Sequence, residues 1–188
     1  DALKTGMLFS AEIIEAVSKK IKQYHWEKVV VDPVMIAKGG ASLLQEAAVQ
    51  ALKDRLLPLA FVVTPNIPEA EVLTGMSIVS AQDKKLACKK LADLGVKNVV
   101  IKGGHDLDEN ESTDLLFDGQ EFYVFKTKRI PTKNTHGTGC TFSAALTAEL
   151  AKGNTIYDAV STAKRFISAA IEDELEIGSG HGPTNHWA

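Results

Sequence analysis

An α/β fold built on a mainly parallel sheet, covered on both faces, is predicted by three features of this 188-residue sequence. Its short strand candidates are apolar throughout instead of alternating, the mark of strands buried on both sides. They alternate with amphipathic helical stretches. Each also stops at a polar residue beside proline or glycine, so the strand ends carry the chemistry.

The elements follow in order. "DALKTGML" reads as the end of a strand, and without an initiator methionine it predicts a domain whose N-terminal part lies outside this sequence. Ile13, Ile14, Val17 and Ile21 share one helical face. "KVVVDPV" (28–34) is a β-branched strand closing at Asp32-Pro33, and 44–56 is a helix with Leu44, Ala48, Ala51 and Leu52 inward. "AFVVTPN" (60–66) is a second strand, stopped by Pro65. A short helix over 68–75 starts on Pro68 and ends at Gly75. A helix over 81–94 is closed by Gly95, and "KNVVIKGG" (97–104) is a third strand. "TDLLF" and "QEFYVF" flank Asp118-Gly119, a two-residue hairpin signal. A helix over 140–152 and another over 155–173 follow, the latter with Ile156, Ala159, Val160, Ala163, Phe166, Ile167, Ala170 and Ile171 on one stripe; "GSGHGPTNHWA" reads as loop. One domain, 1–188, accounts for the whole.

Composition narrows the function classes. Lys and Arg number 21 against 24 Asp and Glu, a net charge of −3, and no basic tract marks a nucleic-acid or membrane-surface binder. No apolar run reaches the ~18 residues of a membrane span. Cys88 and Cys140 lie far apart without CxxC spacing, which argues against a disulfide scaffold or zinc ribbon and fits a reducing, cytoplasmic setting. Asn110-Glu111-Ser112 matches a glycosylation triplet that is common by chance.

Parallel sheets bind ligands outside the carboxyl ends of their strands. Asp32, Thr64, Asn66, Glu69 and Lys102 all fall there. Each alone has a plainer reading: Asp before Pro as a turn former, Glu69 as a complement to a helix dipole, Lys102 as a surface cation. Their joint occurrence favours a site. "NTHGTGC" (134–140) places Gly137, Thr138 and Gly139 ahead of a helix. Free amides and the partial positive charge of a helix N-terminus, reached through glycines, suit a phosphate. The plainer alternative is a helix capped by Thr135 or Thr138. No Walker A loop or dinucleotide fingerprint is present. Cys140 in the first turn is in a setting that favours a thiolate, although most free cysteines serve as small buried hydrophobes.

"NTHGTGC" resembles the D-T-x-G-A-G-D signature of ribokinase-like small-molecule kinases. With "KTGML" (4–8), "VVVDPVMIAKGGASLL" (29–44), "VVTPNIPEAEVLTG" (62–75), "VVIKGGH" (99–105) and "GHGPTNH" (180–186), the chain is similar more narrowly to the hydroxymethylpyrimidine/phosphomethylpyrimidine kinases of thiamine biosynthesis. Cys140 stands where the broad family has Asp, a replacement shared by this branch and by pyridoxal kinases. The family's N-terminal strand and glycine-rich loop have no counterpart here. The resemblance implies a three-layer ribokinase-like fold, ATP as phosphoryl donor with Mg²⁺, a small pyrimidine as acceptor, and a homodimer. It also implies roles: Cys140 as base, the amides of Gly137, Thr138, Gly139 and Cys140 as anion hole, and Lys102, Asn66 and Thr64 on ATP phosphates. Glu69 and Asp32 would hold the metal, and Met7 and Val34 would line the substrate pocket. Three other readings are a pyridoxal kinase, a binding module without turnover, and a bare structural domain.

Overall fold

Six strands form one sheet in chain order, from β1 to β6. The structure, a computed structural model, describes residues 1–35, 45–105, 110–175, 177 and 180–188. β1 (Leu3–Thr5), β2 (Val29–Val31), β3 (Val62–Val63) and β4 (Asn98–Ile101) are parallel neighbours. β5 (Glu111–Phe117) turns back antiparallel against β4, and β6 (Phe122–Lys128) pairs antiparallel with β5. Register aligns the carboxyl ends: Val30 faces Val62, and Val62 faces Asn98.

Burial explains why the strands read as unbroken apolar runs. Val29, Val31, Val63, Val99 and Ile101 point to one core, where α1 (Ala11–Gln23), α2 (Glu46–Ala51), α3 (Ile67–Thr74) and α4 (Ala81–Asp93) pack. Val30, Val62, Val100 and Leu116 point to the other, covered by α5 (Thr138–Ala151) and α6 (Ile156–Glu172) through Phe142, Leu146, Val160 and Ile167. Successive side chains on a strand alternate between faces, and along β2, β3 and β4 both faces are dry. The result is the expected three-layer fold. Among the described residues no helix is long and apolar enough to cross a membrane.

Several boundaries differ from the sequence reading for identifiable reasons. The buried face of α1 is Ile14, Ser18 and Ile21, while Ile13, one residue off that spacing, is exposed. The helix expected over 44–56 starts at Glu46; Leu44 lies outside the described residues. Its second half widens into a π turn over Leu52–Leu56 before Pro58, which has no N–H to continue the ladder. The second strand is shorter than 60–66 by ladder pairing, with Phe61 N to Val29 O (2.9 Å) and Thr64 N to Val31 O (3.0 Å) extending its alignment. The third ends at Ile101 because Gly103 N leaves the ladder for the Asp114 carboxylate, 2.7 Å away.

The hairpin turn holds four residues, not two, since Phe117 pairs with Phe122. Asp118 Oδ1 accepts the amides of Gln120 (2.8 Å) and Glu121 (2.7 Å), a local turn that needs the extra length. Finally, α5 begins at Thr138 rather than 140, so the loop glycine that starts it is Gly137, at φ +82°.

Candidate active site

Asp32 anchors the site. It leaves β2 at the carboxyl edge and is 1% exposed. Its Oδ1 accepts from Lys102 Nζ at 2.9 Å and Thr64 Oγ1 at 3.3 Å, and its Oδ2 from Ser143 Oγ at 3.2 Å. A buried carboxylate requires such partners. The turn-former reading of Asp32 and the surface reading of Lys102 are both replaced by this ion pair, whose side chains are 14% and 1% exposed.

Lys102 follows β4 and is joined to the neighbouring strand end: its amide donates to Pro65 O at 2.9 Å, and it bridges Asn66. Gly103 next to it admits no side chain, because a Cβ would collide with the Thr113 backbone. The Gly103 amide is fixed by Asp114, which in turn is paired with Lys164 at 3.0 Å, both nearly fully buried. Asp114 and Lys164 are thus supports for the lysine, and sequence reading passed over them. A lysine between Val160 and Ile167 on the apolar stripe of α6 was the available signal. Ser143 offered none, being one small polar residue in an apolar helix.

Asn66 and Glu69 form a capping box at the start of α3. Glu69 N donates to Asn66 Oδ1 and Asn66 N to Glu69 Oε2, both at 2.8 Å. This local pairing explains part of why the two residue types occur there. Glu69 is nevertheless 4% exposed. Burial pushes its carboxyl above the ordinary range, with the Lys102 ammonium opposing and the Asp32 charge adding to the rise. Asp32, Lys102 and Glu69 therefore sense one another at a single edge.

The amide turn of α5 faces this group. Four helices, α1, α3, α4 and α6, carry side-chain caps from Ser10, Asn66, Ser80 and Thr155. α5 has none: its cap is Gly137, and neither Thr135 nor Thr138 serves. Thr138 Oγ1 instead donates to Thr135 O at 2.8 Å. The first helical bond is Thr141 N to Gly137 O at 2.8 Å, and the Thr138 amide makes only a long bond to Thr135 O at 3.5 Å, so the turn keeps amides at Gly139 and Cys140 for an acceptor from outside. A Cβ on Gly139 would lie 3.0 Å from Lys102 Nζ, so this glycine makes room for the ammonium against the helix end. Cys140, in the same turn, is exposed, whereas Cys88 is buried and its thiol pushed up to about 12 by desolvation.

Met7 and Val34 follow the carboxyl ends of β1 and β2, Met7 half exposed and Val34 partly buried, so both stand on the same edge. Among the described residues no group of three His, Cys, Asp or Glu side chains forms a metal cage. Two buried carboxylates around one lysine suit Mg²⁺, which takes one or two carboxylates and completes its shell with water and substrate phosphate.

Lys102 paired with buried Asp32 and set against a helix start without a side-chain cap is an arrangement that suits an anionic ligand, and the fold carrying it, helices on both faces of a mostly parallel sheet, is that of the ribokinase-like small-molecule kinases. The chain belongs to the phosphomethylpyrimidine kinase family, whose model matches residues 1–185. It is 55% identical over 188 residues to the hydroxymethylpyrimidine/phosphomethylpyrimidine kinase of Bacillus subtilis (strain 168), covering 100% of this chain and 69% of that protein. It is 57% identical to the kinase of the same name from Haemophilus influenzae, covering 98% of this chain and 70% of the relative. Among solved structures, an ADP complex of Bacillus subtilis pyridoxal kinase superposes with a TM-score of 0.92 at 46% identity, over 100% of this chain and 70% of the other.

Proposed function

We propose that the protein transfers the γ-phosphoryl group of ATP to 4-amino-5-hydroxymethyl-2-methylpyrimidine and then to the resulting monophosphate, in thiamine biosynthesis. The observation that carries this reading is the open first turn of α5 facing Lys102, whose ammonium is held 2.9 Å from Asp32. The names of the relatives supply the acceptor.

In this mechanism the acceptor hydroxyl gives its proton to Cys140, which acts as a thiolate and ends as a thiol, as the hydroxyl oxygen attacks the γ-phosphorus. The bond from that phosphorus to the β-phosphate bridging oxygen breaks, and ADP leaves. The amides of Gly137, Thr138, Gly139 and Cys140 hold the equatorial oxygens of the moving group, where charge gathers in the transition state. Lys102 is a mobile point charge that exchanges Asp32 for the ATP phosphates. Thr64 and Asn66 border the same phosphates, and Met7 and Val34 line the pyrimidine pocket. Glu69 and Asp32 would hold Mg²⁺, which would supply neutralisation of phosphate charge. The working form is a homodimer in the cytoplasm.

A thiol suits two successive acceptors. It can lose its proton for the neutral alcohol and stay uncharged for the anionic monophosphate, which a permanent carboxylate would repel. A second reading, phosphorylation of pyridoxal, is favoured by the close superposition on a pyridoxal kinase. Direct competition between the pyrimidine and pyridoxal, with Mg·ATP and product identification, tests both. Preferential formation of the pyrimidine monophosphate and diphosphate is expected. Exclusive pyridoxal phosphorylation overturns the pyrimidine assignment, and absence of turnover with either overturns the kinase proposal.

A further inference from the structure

The tail read as loop from the sequence returns from α6 and grips the amide turn of α5 on both sides. Asn185 ties it down: its amide donates to Ala170 O at 2.8 Å and its Nδ2 to Asp173 Oδ2 at 2.7 Å, at the carboxyl end of α6. Just ahead, Pro183 bridges His136 in parallel, with His136 N to Gly182 O at 3.2 Å and Thr184 N to His136 O at 3.3 Å. Gly182 N donates to Asn134 Oδ1 at 3.1 Å, and a Cβ on Gly182 would collide with that same oxygen. Beyond the turn, His186 Nε2 stands 3.0 Å from Thr141 Oγ1. Thr141 directly follows Cys140, and its amide closes the first helical bond.

The placement answers a physical conflict. A side-chain cap on α5 would consume the amides that an anion needs. Without one, a turn led by a glycine at φ +82° is free to fray. A brace applied from outside, at residue 136 before the turn and residue 141 after it, fixes the turn and leaves the Gly139 and Cys140 amides open. The cores of α5 and α6 are already packed through Phe142, Leu146, Val160 and Ile167. Exposed His186 adds little to that burial.

We propose that His186 is a positioning residue for phosphoryl transfer: through Thr141 it holds the amide turn 137–140 in register with Lys102 and Asp32. This rests on the phosphoryl-transfer reading, so the test carries one readout that needs turnover and one that does not. Steady-state kinetics with Mg·ATP and the pyrimidine compare the parent with His186→Ala, His186→Gln, Thr141→Val and the double variant His186→Ala/Thr141→Val. His186→Ala is expected to lower kcat by about 10-fold, since small displacements of reacting groups are costly in rate. KM for the pyrimidine should stay within about twofold. His186→Gln, which retains a hydrogen-bonding group at the same reach, should recover most of the loss. The double variant should be no slower than Thr141→Val, because Thr141→Val already removes the His186 contact along with the one from Thr141 Oγ1 to Thr184 Oγ1 at 3.5 Å.

Amide hydrogen exchange on the ligand-free chain supplies the second readout. His186→Ala should accelerate exchange over 135–141 and leave β1–β4 unchanged. Unchanged exchange in that segment, or losses of kcat that multiply in the double variant, overturns the proposal. If the parent itself shows no turnover, the kinase reading has failed and the exchange result alone decides whether His186 braces the turn.

Discussion

Replacing Lys102 by Met removes the cation from a carboxylate that is 1% exposed. Breaking a buried pair by deleting one partner costs about 3–5 kcal/mol, chiefly for the charge left behind. Asp32 retains two hydroxyl donors, Thr64 at 3.3 Å and Ser143 at 3.2 Å. Lys102 is also slightly open to water, at 14%. Both facts place the expected loss at the low end, about 3 kcal/mol. With an m value near 2 kcal/mol/M, the urea midpoint at pH 7 should fall by about 1.5 M. Lys102→Met with Asp32→Asn should regain much of the loss, because the stranded charge is gone. Lys102 also opposes the burial that raises the Glu69 carboxyl, so its removal should push that group further up. Urea unfolding followed by circular dichroism, with turnover measured where the variant is folded, provides the assay. Turnover should collapse along with the lost phosphate contact. A midpoint within about 0.3 M of the parent would refute the idea that this pair is buried and strong.

Other tests address separate parts of the molecule. Glu69→Gln should gain stability relative to the parent as pH rises. A carboxyl raised in the folded state contributes fully below its unfolded value near 4.3 and loses that contribution as pH climbs through the folded value. Melting curves at pH 4 and pH 7 read the difference, and a variant-minus-parent Tm that falls toward pH 7 contradicts the sign. Cys140→Ala should cost about 10²-fold or more in alcohol phosphorylation, the size of a general-base effect. Cys140→Asp should harm the monophosphate step more than the alcohol step; equal losses in both, measured by separate product assays, count against the thiol argument. Lys164→Met strands Asp114, with both side chains nearly fully buried, and should lose about 3–5 kcal/mol in urea unfolding. Full stability in that variant would remove the pair from the support of Gly103.

Much of the site was legible because strand ends announce themselves. Asp32-Pro33, Thr64-Pro65-Asn66 and Lys102-Gly103-Gly104 each break an apolar run, and parallel pairing then brings them to one edge. Gly137 and Gly139 marked the amide turn for a similar reason: glycine is where backbone must be approached. The supports were harder to see. Asp114 sits inside a hairpin strand and Lys164 inside a helix, and nothing local in either says that they meet across 50 residues. The tail gave no periodicity at all, since it is held by scattered hydrogen bonds to residues such as Asn134, His136, Thr141, Ala170 and Asp173.

The sequence by itself determined a sheet dry on both faces, the edge where polar groups gather, and a helix opening in glycine, because periodicity and backbone freedom are local properties. Only the tertiary structure decided which charges meet. Lys102 reaches Asp32 across 70 residues and Ser143 reaches it across 111, contacts set by the strand order and by α5 crossing to the second face. Ion pairs and hydrogen bonds act over a few ångströms, and what lies within that distance is fixed by topology rather than by neighbours in the chain.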